Sequence, residues 1–288
     1  MHRKQTLIAV TLAIAGLHAG AECLTDAQVN DMAEKIAAKA PAANPEGLNE
    51  ADGACTRAKL NALLEKRHGK VVGYKAGLTN PAVQKRFNYD QPVWGKLYEG
   101  MVLPSGSVVD AAFGARPLFE ADMLVRVKSA AINQAKTPMD VLEAIDQVIP
   151  FIELPDLVVQ APPKLNGPAV SAINVGARLG VAGTPLAVPV TRAERYAMLG
   201  ALSGMTVVLA DGTGAELGKG KGSDILEHPL NAVVWLAGAL AKEGLAIKPG
   251  DLISLGSFSP LLPPKPGLSA TVTYLGLPGA QPVSVSFK

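Results

Sequence analysis

Residues 115–127, ARPLFEADMLVRV, decide how the chain is to be read. The run is apolar enough to form a β-strand, and successive side chains of a strand point to opposite faces. Phe119, Ala121, Met123 and Val125 then share an apolar face, while Glu120 and Asp122 project together from the other, their Cα atoms about 7 Å apart. Two readings are open. Either the acids face solvent on a half-exposed strand, or they are buried with a cation between them, since like charges so close repel. Hard divalent cations such as Mg²⁺ or Mn²⁺ take oxygen ligands and usually need a third. A third acid is at hand in PFIELPDL (150–157), where Glu153 lies inside another apolar strand; an ionised carboxylate there is costly unless paired or metal-bound.

Outward from these two strands, helices come first and strands dominate afterwards. LTDAQVNDMAEKIAAKA, capped by Thr25 or Asp26, and TRAKLNALLEKRHG, stopped by Gly69, read as helices separated by a Pro/Ala/Asn-rich break at 41–46. KVVGYKAGL is a predicted strand, PAVQKRF a short helix, and SGSVVDAA a strand. TPMDVLEAIDQVI is a predicted helix with Thr137 as cap and Pro138 in the first turn, presenting Val141, Leu142, Ile145, Val148 and Ile149 on one apolar face. PFIEL, AVSAINVGARL, MTVVLAD, GDLISLGS, SATVTYLG and PVSVSF are predicted strands, with PLNAVVWLAGALAKEG as the helix between them. Short strands punctuated by Gly and Pro, with a few helices, point to a rolled α+β architecture.

Composition bounds the function. The 288 residues are 48% hydrophobic and 18% charged, a globular balance, and 27 basic against 25 acidic residues leave a net charge of +2. No basic footprint for nucleic acid or a membrane surface exists, so a small molecule is the expected partner. MHRK, the apolar TLIAVTLAIAGL and Ala19-Gly20-Ala21 read as a secretory signal peptide over 1–21, too short to span a bilayer, so a periplasmic or secreted chain starting at Glu22 and without stable membrane insertion is expected. Glu22 argues against lipidation of Cys23. Cys23 and Cys55 are the only cysteines; in an oxidising compartment they are free to pair, which sequence alone leaves open. The absence of CxxC argues against a thiol redox or cysteine–zinc site.

VVGYKAGLTNPAVQKRF, QPVWGKLYEGM, FEADMLV, PFIELPD and GKGSDILEHPLNAVVWLAGALAKEGLAIKPGDLISLGS, in this order, resemble the 2-keto-4-pentenoate hydratase/4-oxalocrotonate decarboxylase family of the fumarylacetoacetate hydrolase (FAH) superfamily. The resemblance covers residues 70–288 and fades over the two N-terminal helices. It implies an α+β fold with an FAH-like mixed β-roll core and packed helices, here preceded by a helical segment over 22–70, with the catalytic domain over 71–288. It further implies a divalent metal, Mg²⁺ or Mn²⁺, held by Glu120, Asp122 and Glu153, an active-site lysine at Lys75, and a substrate pocket including Asp156, Asn174, Gly256 and Ser257. The implied activity is that of a metal-dependent lyase on a short unsaturated 2-oxo acid, passing through a metal-stabilised enolate; family members are commonly homo-oligomers.

The departures from the family pattern matter as well. Asp122 stands for a second Glu and shortens its reach. Val93 replaces an acid usual in the hydratases and leans toward the decarboxylases, which have no water to activate. Leu157 and Val158 replace Ser and Arg, and the loss of that Arg suggests a different or missing distal carboxylate on the substrate; Ile173 replaces an Asp. A leader peptide is unusual, since the family's known activities belong to cytoplasmic catabolism of aromatic compounds. A C–C bond hydrolase of the superfamily and a non-catalytic periplasmic oxo-acid-binding protein are the alternatives. Among weaker motifs, GKGKG (218–222) reads as a glycine-rich turn rather than a phosphate loop, His228 as an organiser of a helix start, and Ser257 lacks the G-x-S-x-G context of a hydrolase.

Overall fold

Two capped helices open the structure, a computed structural model that describes residues 22–288; the predicted leader at 1–21 lies outside the described residues. In α1 (Asp26–Ala38) the Thr25 hydroxyl accepts from Gln28 N–H while the Gln28 side chain accepts from Thr25 N–H, satisfying donors that a first helical turn leaves free. α2 (Glu50–His68) starts on a similar reciprocal pair, Asn49 and Asp52. A disulfide joins Cys23 to Cys55, Cα atoms 5.6 Å apart, and staples the N-terminal arm to α2.

The rest of the chain runs β1 (Val71–Gly77), α3 (Pro81–Arg86), β2 (Val93–Tyr98), β3 (Val102–Pro104), β4 (Ser107–Val109), β5 (Glu120–Val127), α4 (Pro138–Ala144), β6 (Ile145–Leu154), α5 (Gly167–Ala172), β7 (Leu179–Ala182), β8 (Leu186–Ala187), α6 (Arg192–Gly204), β9 (Thr206–Asp211), β10 (Glu216–Lys221), α7 (Asn231–Lys242), β11 (Leu252–Ser254), β12 (Ser269–Leu275) and β13 (Val283–Phe287). The larger sheet has the order β2-β1-β11-β5-β6-β7-β3 with β8 added to β6, and the smaller one β10-β9-β12-β13-β4. Parallel pairs β1/β11, β3/β7 and β4/β13 interrupt otherwise antiparallel ladders, so both sheets are mixed, as an α+β roll requires. The main core is built from Ala121, Met123 and Val125 of β5, Val148 and Ile152 of β6, Val207 and Leu209 of β9, and Leu236 and Leu240 of α7, all fully buried. A second cluster packs α1 and α2 through Val29, Met32, Leu60 and Leu64 against Ala169 and Val170 of α5. Burial of such side chains contributes roughly 1.5–3 kcal/mol each.

Several sequence expectations give way to competing physics. The helix predicted over 137–149 stops at Ala144: Ile145 is already extended, at φ −113° and ψ 161°, and its apolar residues Ile145, Val148 and Ile149 lie on β6. Pro150 bars a helix from continuing through this point, and the β-branched residues before it favour the pleated surface. AVSAINVGARL is not one strand. Asn166 caps Ala169 N–H at 3.1 Å and Pro168 sits in the first turn, so α5 forms, followed by a tight turn in which Asn174 and Val175 have φ of 54° and 55°; only Leu179 onward is extended. The first four residues of GKGKG, 218–221, belong to the edge strand β10, and only Gly222 enters the turn after it; α6, capped by Thr191 on Glu194 N–H, was not anticipated.

Candidate active site

Sheet register assembles the site. Antiparallel pairing places Glu120 of β5 opposite Glu153 of β6, while β11 lies between β5 and β1 and pairs Ser254 with Leu124 on one side and Lys75 on the other. Cross-strand partners share a face, as do residues two apart along a strand. Lys75, Ser254, Asp122, Glu120 and Glu153 therefore meet on one face of the larger sheet, opposite the face that Ala121 and Met123 turn to the main core. The solvent-facing reading of the acids is thereby excluded: Glu120 is 6% exposed, Asp122 0%, Glu153 3% and Lys75 3%.

These four groups carry three carboxylates against one ammonium. Lys75 Nζ donates to the Glu153 carboxylate and to the Val175 carbonyl, the latter at 3.0 Å. Val175 can present that carbonyl because the left-handed turn of Asn174 and Val175 aims it back at β1. Burial, then the charge of Glu153, pushes the Glu120 carboxyl well above its ordinary range, with Lys75 opposing. Burial, again followed by Glu153, pushes Asp122 up to about 8, opposed by hydrogen bonds from Ser254 and Met123 N–H and by the Lys75 charge. Burial and mutual repulsion of these acids leave the group short of positive charge.

Asp122 is tied down. Its Oδ2 accepts from Ser254 Oγ at 2.5 Å, and its Oδ1 from Gly256 N–H at 2.9 Å and Met123 N–H at 2.5 Å. Gly256 reaches that carboxylate with φ of 106°, in a conformation L side chains avoid, and a Cβ there would collide with Thr79 Oγ1. From the smaller sheet, Tyr274 hydroxyl donates to the Asp122 carbonyl and accepts from Phe151 N–H at 2.9 Å, locking β5 to β6 beside the acids.

Glu120, Glu153, Lys75, Gly256 and Ser257 line a cavity. Asp122 does not reach it, nor do Asp156 and Asn174, which the sequence placed in the substrate pocket. Asp156 accepts from Ala115 N–H at 3.0 Å and Arg116 N–H at 2.7 Å and anchors the loop before β5. Asn174 accepts from Lys96 N–H at 2.8 Å and donates to Lys96 carbonyl at 3.1 Å, fixing the turn that supplies the Val175 carbonyl. Val93 lines a separate cavity, beside Arg57 and Trp94, and is 6% exposed. His228 is an organiser of a helix start as expected: its Nδ1 accepts from Leu230 N–H at 3.1 Å. Ser254, Tyr274 and Val175 were missed by sequence reasoning. Ser254 had a signal, since it is the hydroxyl in an apolar strand that alternates beside two acidic ones; a backbone carbonyl aimed by a left-handed turn has none.

The family resemblance implies a divalent metal. Among the described residues no three His, Cys, Asp or Glu side chains stand ready as a ligand group, and both Asp122 oxygens accept hydrogen bonds, from Ser254, Gly256 and Met123. In charge and donor type the set still fits a hard cation: all donors are oxygens, the acids outnumber the one ammonium, and burial penalises them until positive charge arrives. Glu120 and Glu153 are the pair that would hold the ion from the cavity, with Asp122 fixed behind them by Ser254 and Gly256.

No family model matches the chain. It is 30% identical over 228 residues to a 4-oxalocrotonate decarboxylase of Pseudomonas putida, covering 79% of this chain and 82% of that protein. It is 30% identical over 205 residues to a 2-keto-4-pentenoate hydratase of Burkholderia vietnamiensis, covering 71% and 74%. Among solved structures, the 4-oxalocrotonate decarboxylase of Pseudomonas putida G7, complexed with magnesium and adipate, superposes with a TM-score of 0.76 at 28% identity over 92% of this chain and 99% of that one. The fumarylpyruvate hydrolase of Pseudomonas aeruginosa, at 12% identity and a TM-score of 0.53, shares the fold.

Proposed function

We propose, from the premise that the chain belongs to the 2-keto-4-pentenoate hydratase/4-oxalocrotonate decarboxylase family, that it is a divalent-metal-dependent lyase acting on a short unsaturated 2-oxo acid. The observation that carries this reading is the buried pair Glu120 and Glu153, with Lys75 on Glu153, in the wall of the cavity. When bound there, Mg²⁺ or Mn²⁺ supplies a Lewis acid for the 2-oxo acid head group. Glu120 and Glu153 would hold the ion; Asp122, held by Ser254 and Gly256, lies behind them without entering the cavity. Lys75 Nζ, with acceptors on two of its three N–H groups, would assist either by binding the substrate carboxylate or by transferring a proton. Apolar lining residues such as Phe87, Leu157 and Val170 limit bulk water around the head group.

The helices over 22–70 support the wall of this cavity rather than its chemistry: Gly53 of α2 lies directly against the Pro168 backbone of α5, and Val170 of α5 lines the cavity. We assign the chemistry to 71–288. The Cys23–Cys55 disulfide and the leader-like residues 1–21 together support a periplasmic or secreted location, where such a bond persists.

The test is proton NMR of residues 22–288 with Mg²⁺ and, separately, 2-keto-4-pentenoate and 4-oxalocrotonate. Metal-dependent conversion of either, abolished by EDTA, is the expected outcome, and its product separates hydration from decarboxylation. No conversion of either substrate by metal-loaded protein contradicts the reading and favours the binding-protein alternative.

A further inference from the structure

Arg57 reaches out of α2 into the junction of three other elements. Its side chain is 3% exposed, and its guanidinium donates to Ser171 Oγ of α5 and to the carboxylate of Glu243 at the end of α7. The same guanidinium lies 3.7 Å from the ring centroid of Trp94 on β2, and Trp94 Nε1 donates to the Glu243 carboxylate at 3.1 Å. One planar cation thus ties α5 to β2, a task that suits the fork and flat face of a guanidinium.

Both of these elements lead to Lys75. Ser171 stands one turn ahead of Asn174 and Val175, whose φ angles are 54° and 55°, and the Val175 carbonyl accepts from Lys75 Nζ at 3.0 Å. The two residues after Trp94 brace that turn from β2. Gly95 lies so close to the Asn174 carbonyl that a Cβ there would collide, and the Lys96 backbone exchanges two hydrogen bonds with the Asn174 side chain. β2 is also the antiparallel neighbour of β1, with Gly95 opposite Lys75. Left-handed backbone is costly for a β-branched residue such as Val175 and persists only where its surroundings hold it. Arg57 stands behind both supports of this turn.

We propose that Arg57 is a positioning residue for the Lys75 ammonium: by clamping α5 to β2 it holds the strained turn that aims the Val175 carbonyl at Lys75. Arg57 belongs to the N-terminal helices, where the family resemblance fades, so a segment outside the catalytic domain sets the geometry of a group inside it, without touching substrate. The consequence for catalysis rests on the reading that Lys75 acts on the bound 2-oxo acid. With the clamp released, Val175 relaxes toward ordinary backbone angles, its carbonyl leaves Lys75, and the ammonium loses one of the two acceptors that fix it.

Amide hydrogen exchange followed by NMR reads the clamp without turnover. Gly176 N–H donates to the Ile173 carbonyl and Ala177 N–H to the Asn174 carbonyl, so both report opening of the turn. Arg57→Met is expected to speed their exchange at least about 10-fold, and Ser171→Ala, which leaves the Glu243 pair in place, at least about 3-fold. Met32→Ala removes a buried side chain of α1 that takes no part in the clamp; it controls for lost stability and is expected to leave both amides within about 2-fold of the parent. The Lys75 Nζ signal, identified in ¹⁵N NMR by its absence from Lys75→Met, is expected to shift in Arg57→Met and to keep its place in Met32→Ala. In a parent that turns over, kcat/KM of Arg57→Met is expected to fall at least about 10-fold. Exchange in Arg57→Met and Ser171→Ala no faster than in Met32→Ala overturns the clamp; faster exchange with unchanged kcat/KM overturns the positioning of Lys75. Should Arg57→Met fail to fold, Ser171→Ala decides by the same criteria. A parent without turnover contradicts the lyase reading and leaves the exchange rates and the Lys75 signal to decide this inference.

Discussion

Replacing Lys75 by Met removes the one positive charge from a buried group of three acids. Lys75 and Glu153 have side chains 4% exposed each, so neither can turn to water once the other is gone. Breaking a buried ion pair from one side costs about 3–5 kcal/mol, and the Val175 carbonyl loses a donor worth about 1 kcal/mol. Uptake of a proton by Glu153 limits the total, which leaves an expected loss near 3 kcal/mol in metal-free protein. With a urea slope of about 3 kcal/mol/M for a chain of this size, the unfolding midpoint of Lys75→Met falls by about 1 M. Saturating Mn²⁺ recovers most of that loss, because a cation returns the missing charge. Turnover falls at least about 100-fold, as for loss of a general acid or base. Urea titrations followed by circular dichroism, with and without Mn²⁺, and initial rates on the active substrate read all three effects. A midpoint that stays within about 0.3 M of the parent's, or a variant that keeps a tenth of the parent rate, would refute the role assigned to the Lys75–Glu153 pair.

Two further outcomes follow from the fold. The Cys23–Cys55 bridge closes a loop with a sequence separation of 32, so its reduction, or Cys23→Ser with Cys55→Ser, is expected to cost about 4 kcal/mol and to lower Tm by about 10 °C in calorimetry; an unchanged Tm would mean that the N-terminal arm contributes nothing. Burial holds the His228 pKa below its ordinary 6.5, and its neutral ring accepts from Leu230 N–H while facing the Leu199 carbonyl. The unfolded chain therefore takes up a proton that the folded chain refuses. The stabilisation is complete above about pH 6.5 and is lost by up to about 1.4 kcal/mol per pH unit below it. Urea midpoints of the parent and His228→Gln, measured from pH 5 to 8, should diverge in slope only below pH 6.5; parallel slopes would remove His228 as the cause.

The site was more legible in the sequence than the chain path around it. Period-two alternation put Glu120 and Asp122 on one face, and the apolar run around Glu153 marked a second strand; with register added, those signals suffice to bring Lys75 and the acids to one face. What alternation cannot carry is where a side chain of given length ends. Asp122 shares the face of Glu120, yet its shorter arm is captured by Ser254 and Gly256. Nor can a motif distinguish a residue that touches the cavity from one that shapes it: Asp156 and Asn174 serve loops and turns. Helix and strand were confused where apolar residues suit both periods, at 145–149 and 169–176, and Pro150 and the Asn166-Gly167-Pro168 start decided each case. The disulfide joins residues 32 apart, a proximity set by how α1 returns along α2.

The most direct test of the central claim is Mn²⁺ binding by electron paramagnetic resonance, which reads the ion itself rather than turnover. The expected result is one Mn²⁺ per chain in the parent, with binding at least about 100-fold weaker in Glu153→Gln and in Glu120→Ala, since each loses a carboxylate that faces the cavity. Undiminished Mn²⁺ binding in both variants would contradict a metal site built on this pair of strands.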